Sequence, residues 1–157
     1  MVELDLTGLQ MPNLPEQPKP NQVVLRPLER GFGHTLGNTM RRILLSGLRG
    51  SAVWAFRTDG VLHEHQTIPG VVEDVHQIIH NLKGLVLKMD DGVDEAVLEL
   101  RANKAGAVTA RAIRENAAVQ VINPDHHILE LQEDKDFRMD LFVNKGRGFV
   151  LAEQHVV

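Results

Sequence analysis

Between Leu25 and Gly50 the end of an expected strand passes through a glycine-rich turn into a basic segment whose apolar residues recur every three or four positions. At about 100° per residue, Leu36, Met40, Ile43, Leu44 and Leu48 fall on one strip. Asn38, Arg41 and Arg42 lie on the far side, and Leu45 projects among them. The spacing predicts an amphipathic helix to about Leu48, stopped by Gly50. A leucine set between arginines is a poor core position and a good contact point for another protein. Single exposed apolar residues are also common on surfaces, so geometry alone leaves both readings open.

The pattern on either side predicts further elements. Residues 3–9 read as a short strand, and Gln22 to Leu28 as another, with Pro27 near its end or on an edge. Between them Met11 to Pro20 carries Pro12, Pro15, Pro18 and Pro20 of the seven prolines and reads as an extended connector. Ala52 to Phe56 and Val61 to Ile68 read as strands joined by the turn Thr58-Asp59-Gly60. After Pro69-Gly70, Val72, Val75, Ile79 and Leu82 recur at helical spacing, with Val71 and Ile78 alongside. Glu73 and Asp74 fall in the first turn of that helix and Lys83 in the last, matching the helix dipole, and Gly84 closes it. The remainder alternates or runs apolar in short strands: Leu85 to Met89, Ala96 to Ala102, Val108 to Ile113, Val119 to Ile122, Ile128 to Leu131, Arg138 to Val143 and Phe149 to Val157. Turn signals part them at Asp91-Gly92, Ala105-Gly106, Asn123-Pro124, Asp134 to Asp136 and Gly146 to Gly148. The expected class is α+β: a strand-plus-helix part over residues 1–50, then a mainly antiparallel β domain with one helix over residues 51–157.

Composition narrows the chemistry. With 157 residues the chain is long enough to bury a real core in one domain or two small ones. A net charge of −4 argues against a general nucleic-acid binder, although basic residues cluster at Arg41-Arg42 and at Lys145 to Arg147. Low aromatic content, with Trp54 alone and no tyrosine, makes base-stacking platforms a poor expectation. Without cysteine there are no disulfides, thiolate zinc sites or cysteine nucleophiles. No run approaches the roughly 20 apolar residues of a membrane span, and a cytoplasmic protein that does not enter membranes is expected.

Gly31, Gly33 and Gly37 give G-x-G-x-x-x-G, which matches neither the dinucleotide fingerprint nor a Walker loop, so turning and close packing account for them better. Of eight histidines, His63 and His65 would share a strand face, His76 and His80 are one helical turn apart, and His126-His127 would diverge. A metal enzyme built on His63, His65 and one of His126 or His127 is the alternative from another class, but no third ligand stands at a telling offset. Another alternative is a nucleic-acid module using Arg41, Arg42, Lys145 and Arg147. Glu73-Asp74 and Asp90-Asp91 have structural reasons to exist, and no serine sits in a G-x-S-x-G context. No catalytic residue, cofactor or metal site is expected.

Three ordered blocks carry a resemblance. They are Pro27-Leu28-Glu29-Arg30-Gly31-Phe32-Gly33-His34-Thr35-Leu36-Gly37-Asn38 with Arg41-Arg42-Ile43-Leu44-Leu45-Ser46; Asp59-Gly60-Val61-Leu62-His63-Glu64 through Ile68-Pro69-Gly70-Val71, Glu73-Asp74 and Asn81-Leu82-Lys83-Gly84-Leu85; and Gly146-Arg147-Gly148-Phe149-Val150. Together the chain resembles the bacterial DNA-directed RNA polymerase alpha subunit from about Val23 to Val150. The resemblance implies a non-catalytic module that dimerises and serves as the platform on which the β and β′ subunits assemble, nucleotidyl transfer occurring on those large subunits. It places Arg42 and Leu45 on the surface that receives β, joined by Lys83 and by Gly146, Arg147 and Gly148. Residues 1–50 would be the first part of the dimerisation domain, with Leu36, Met40, Ile43, Leu44 and Leu48 on its dimer or core helix, and residues 51–157 the insert domain. In the family that dimerisation domain resumes after the insert, and a linker and DNA-binding domain follow. The chain is therefore expected to be a truncated form whose helical strip is left partly uncovered. Instability, self-association or capture by another chain is expected, with DNA contacted only through the absent domain.

Overall fold

The glycine turn delivers the chain directly into a helix. In the computed structural model, which describes residues 25–61 and 65–155, Gly31 adopts φ +93° and the Phe32 amide donates to the Glu29 carbonyl at 3.1 Å. Helix α1 (Phe32–Ser46) therefore starts among the glycines and ends two residues short of Leu48. The chain divides into two compact units at Leu44/Leu45. Residues 25–28 carry no strand, since Pro27 has no amide to donate and no neighbouring strand pairs there among the described residues. The strand expected at residues 3–9, the proline connector and His63 lie outside the described residues.

The second unit is built on one antiparallel sheet. Its strands are β1 (Arg49–Thr58), β2 (Leu87–Met89), β3 (Glu95–Ala102), β5 (Val119–Val121) and β7 (Phe137–Arg147), in the order β3-β7-β1-β2-β5. A two-stranded antiparallel sheet pairs β4 (Gly106–Thr109) with β6 (His127–Leu131). Helix α2 (Val75–Lys83) packs Val75, Ile78 and Leu82 into the core. Leu98 and Leu100 of β3, Met139, Leu141 and Val143 of β7, and Ile128, Leu129 and Leu131 of β6 complete its centre. Alternation drives this: residues two apart share a face, so one side of the sheet is apolar and the other faces outward.

Several boundaries differ from those the pattern suggests, each for a backbone reason. Residues 65–68 form no strand beyond an isolated bridge from Thr67 to Asp74, because the Gln66 carbonyl accepts the Val75 amide at the start of α2. Helix α2 itself begins at Val75, not near Val72, which is exposed. Asp74 is its N-cap, accepting the Gln77 amide at 2.7 Å while the Gln77 side chain accepts the Asp74 amide at 3.2 Å. Strand β4 stops at Thr109, and Ala110–Ala112 forms a 3-10 turn. Gly146 and Arg147 are not a turn but the last residues of β7, paired with Gly50 and Arg49. Gly148, at φ +64°, then leaves the ladder, so the strand expected from Phe149 onward is replaced by a 3-10 turn at Ala152–Gln154.

Gly84 does more than end a helix. A Cβ there would lie 2.6 Å from His126 Cε1 and 2.8 Å from Nε2. That ring is held by a 2.7 Å contact between Nε2 and the Asn81 carbonyl. Gly84→Ala is expected to lower the unfolding free energy by about 1–3 kcal/mol through overpacking. Gly92→Ala, which meets nothing within 4 Å, should stay within about 0.5 kcal/mol of the parent. Urea denaturation of the three proteins checks both.

Candidate subunit interface

Of the residues expected at an interface, Leu45, Gly146, Arg147 and Gly148 lie within the second unit, at one end of the β1–β7 ladder. Because β1 begins three residues after α1 ends, the rungs Arg49↔Arg147 and Gly50↔Gly146 lie next to the helix in sequence. Gly148 closes the gap in space. A Cβ on it would lie 3.5 Å from the Leu45 carbonyl oxygen and 3.7 Å from Ser46 Cα, all within the second unit. Leu45 is 64% exposed. Arg42, one turn earlier, is on the same side of α1 at the i, i+3 spacing and is also exposed. Lys83, exposed at the end of α2, is four residues before Leu87, which pairs with Ser51. Four residues span at most about 14 Å, so Lys83 is tethered near the same end of the sheet.

The apolar strip of α1 is open to solvent. Leu36, Met40, Ile43 and Leu44 are all exposed, and no residue of α1 is buried; Leu48, expected on the helix, is also exposed but lies in the turn between α1 and β1. Phe149, Val150 and Leu151, following the Gly148 turn, are exposed as well.

The histidines go to separate partners. His65 Nδ1 is 3.1 Å from His76 Nε2, His126 turns to the Asn81 carbonyl, and His127 Nε2 contacts Glu73 Oε1 at 2.6 Å. The triple of His63, His65 and His126 or His127 is thus not assembled from its described members, and no cluster of three metal-ligating side chains occurs among the described residues. Glu73 was read as a helix-dipole charge. Instead it ties two elements together, its Oε2 accepting the Glu130 amide at 2.8 Å. Of the basic candidates for nucleic acid, Arg41 donates to Asn38 Oδ1 at 3.4 Å and Lys145 donates to the Asp90 carbonyl.

An ion-pair network on the outward face of the sheet escaped the sequence reading. Glu99 on β3 accepts from Arg101 at 2.7 Å and Arg114 at 2.8 Å, and Arg138 on β7 lies 2.9 Å away. Asp140 accepts from Arg57 on β1 at 2.9 Å and meets Arg138 at 3.3 Å. Cross-strand register explains the grouping, since Asp140 is opposite both Glu99 and Arg57, and Arg138 is opposite Arg101. The available signal was the pair of period-two patterns, Glu99-x-Arg101 and Arg138-x-Asp140. Hydrogen bonds from Arg101 and then Arg114 hold the Glu99 carboxyl below the usual range, burial opposing. Arg57 chiefly does the same for Asp140, Arg138 adding to it against the cost of burial.

With this geometry in place, the comparison with known families covers most of the second unit and leaves out α1. A model of the RNA polymerase Rpb3/RpoA insert domain matches residues 54–156. The chain belongs to that family: it is an RNA polymerase subunit of the alpha type, part of a nucleotidyltransferase assembly that acts in transcription. Its α+β architecture, with an antiparallel sheet and two α-helices among the described residues, agrees with the class expected from the sequence. No helix among the described residues is long and apolar enough to cross a membrane.

The paired carboxylates set an acid dependence. Both titrate below the ordinary carboxylate range when folded, so their contribution is complete above that range. It declines as pH falls below the range and is gone below the lowered folded values. Urea midpoints measured from about pH 7 down to about pH 3 should fall more steeply for the parent than for Glu99→Gln/Asp140→Asn. Parallel acid limbs would contradict the assignment.

Proposed function

We propose that this chain is a non-catalytic assembly subunit of DNA-directed RNA polymerase, dimerising and receiving the β and β′ subunits in the cytoplasm. The observation that carries the reading is α1, a helix of 15 residues with none buried. Covering each apolar residue of its strip is worth roughly 1.5–3 kcal/mol, a strong drive toward a second protein surface. The strip Leu36, Met40, Ile43, Leu44 and Leu48 suits a second copy of the subunit. Arg42 and Leu45, on the other side, suit β.

The remaining parts of the surface fit that role. Leu45 offers an apolar anchor flanked by Arg42, the combination that concentrates binding energy at protein interfaces. Gly146, Arg147 and Gly148 present backbone and one guanidinium beside it, and Lys83 adds a further cation. Residues 1–50 then serve dimerisation and residues 51–157 form the insert domain.

Capture of purified β subunit by the immobilised chain tests this directly. Binding should be reduced by about a hundredfold or more in Arg42→Ala/Leu45→Ala, the size expected when two anchor residues are truncated. The far-UV circular dichroism should be unchanged. Undiminished capture by that variant would remove α1 from the β surface.

A further inference from the structure

We propose that the outward face of β3, β7 and β1 is a second docking surface, which takes an acidic segment of another protein. It shares no residue with the surface proposed for β. The first argument is how the charges are presented. Arg57, Arg101, Arg114 and Arg138 keep 74%, 54%, 64% and 57% of their side chains exposed. The carboxylates between them, Glu99 and Asp140, are only 19% and 12% exposed. The acids act as internal struts, and the charges that reach solvent around them are mainly cationic. Asp136 tempers the field at Arg101 and Glu95 is exposed on the same face of β3, but the four arginines outnumber these exposed carboxylates.

Each strut also orients its arginines. A guanidinium has five N–H donors, and those in contact with Glu99 and Asp140 leave others directed away from the sheet. Held in place, such groups lose less freedom on binding a carboxylate than a solvated arginine does. Paired charge-assisted bonds to carboxylates are the chemistry this geometry favours.

The neighbouring surface decides the class of partner. Val97, two residues from Glu99 on the same face of β3, is 53% exposed. Phe142 lies beyond Asp140 on β7, and Arg57 sits 5.9 Å over its ring. Trp54 packs 6.1 Å from that ring. A nucleic-acid backbone would use the cations but not the apolar strip beside them, and the chain's net charge of −4 opposes a phosphate track. An acidic peptide segment carrying one or two apolar side chains uses both.

Trp54 makes the test direct, being the only tryptophan in a chain without tyrosine. The probe is a synthetic glutamate-rich peptide with leucines at its centre, compared with its glutamine counterpart and with duplex DNA of equal charge. The glutamate peptide should shift Trp54 emission saturably, and the glutamine peptide should not. Arg57→Gln/Arg114→Gln should weaken binding by about tenfold, the loss expected for one charge-assisted pair. If that variant unfolds by circular dichroism, Arg114→Gln alone serves, since Arg114 lies outside every strand. No saturable shift, or unchanged affinity in the folded variant, overturns the proposal. An equal response to DNA overturns the choice of a protein partner.

Discussion

Strand β7 is the constraint on which the rest of this molecule depends. It is paired on both sides, with β1 from Arg147 to Met139 and with β3 from Asn144 to Phe137. A strand held along both edges cannot slip, because a shift of one residue would carry Met139, Leu141 and Val143 out of the core. The same lock determines what faces outward. Arg138, Asp140 and Phe142 alternate with those core residues, so the charged network and the aromatic strip share the face opposite the core. The end of the strand is equally determined, because Gly146 and Arg147 must meet Gly50 and Arg49 before Gly148 can turn the chain away.

That placement gives the family membership a physical meaning. An assembly subunit needs a rigid body that presents surfaces without chemistry of its own. In the role proposed for this chain that body is the insert domain, whose first strand begins three residues after α1 ends. Gly148 lies against the backbone of Leu45 and Ser46, just before the chain enters β1.

How far this was legible in the sequence depends on which forces act locally. Helix α2 was readable because apolar spacing, a capping aspartate and a closing glycine all point the same way. The strands of β3 and β7 were readable from alternation. The ends of elements were not, because they are decided by hydrogen bonds from distant residues: Gln66 to Val75, Ala110 to His126, Gly146 to Gly50. Leu45 stood out because a helix fixes the angular position of each residue. The arginine network did not, because its members come from three strands and a loop, and only the register of the sheet brings them together. Gly84 was read as a stop signal, whereas the reason for its lack of a side chain is His126, far along the chain.

One irregularity in β1 carries a consequence of its own. Val53 is opposite Val143 and Ala55 is opposite Phe142, so Trp54 stands outside the count of rungs. A chain without Trp54 would keep every partner on both strands and the same alternation of inner and outer faces. The indole, stacked 5.1 Å from the His155 ring, is therefore an appendage that the sheet can gain or shed through a single-codon insertion or deletion. Related chains can thus remodel this flank of the domain without renegotiating its core.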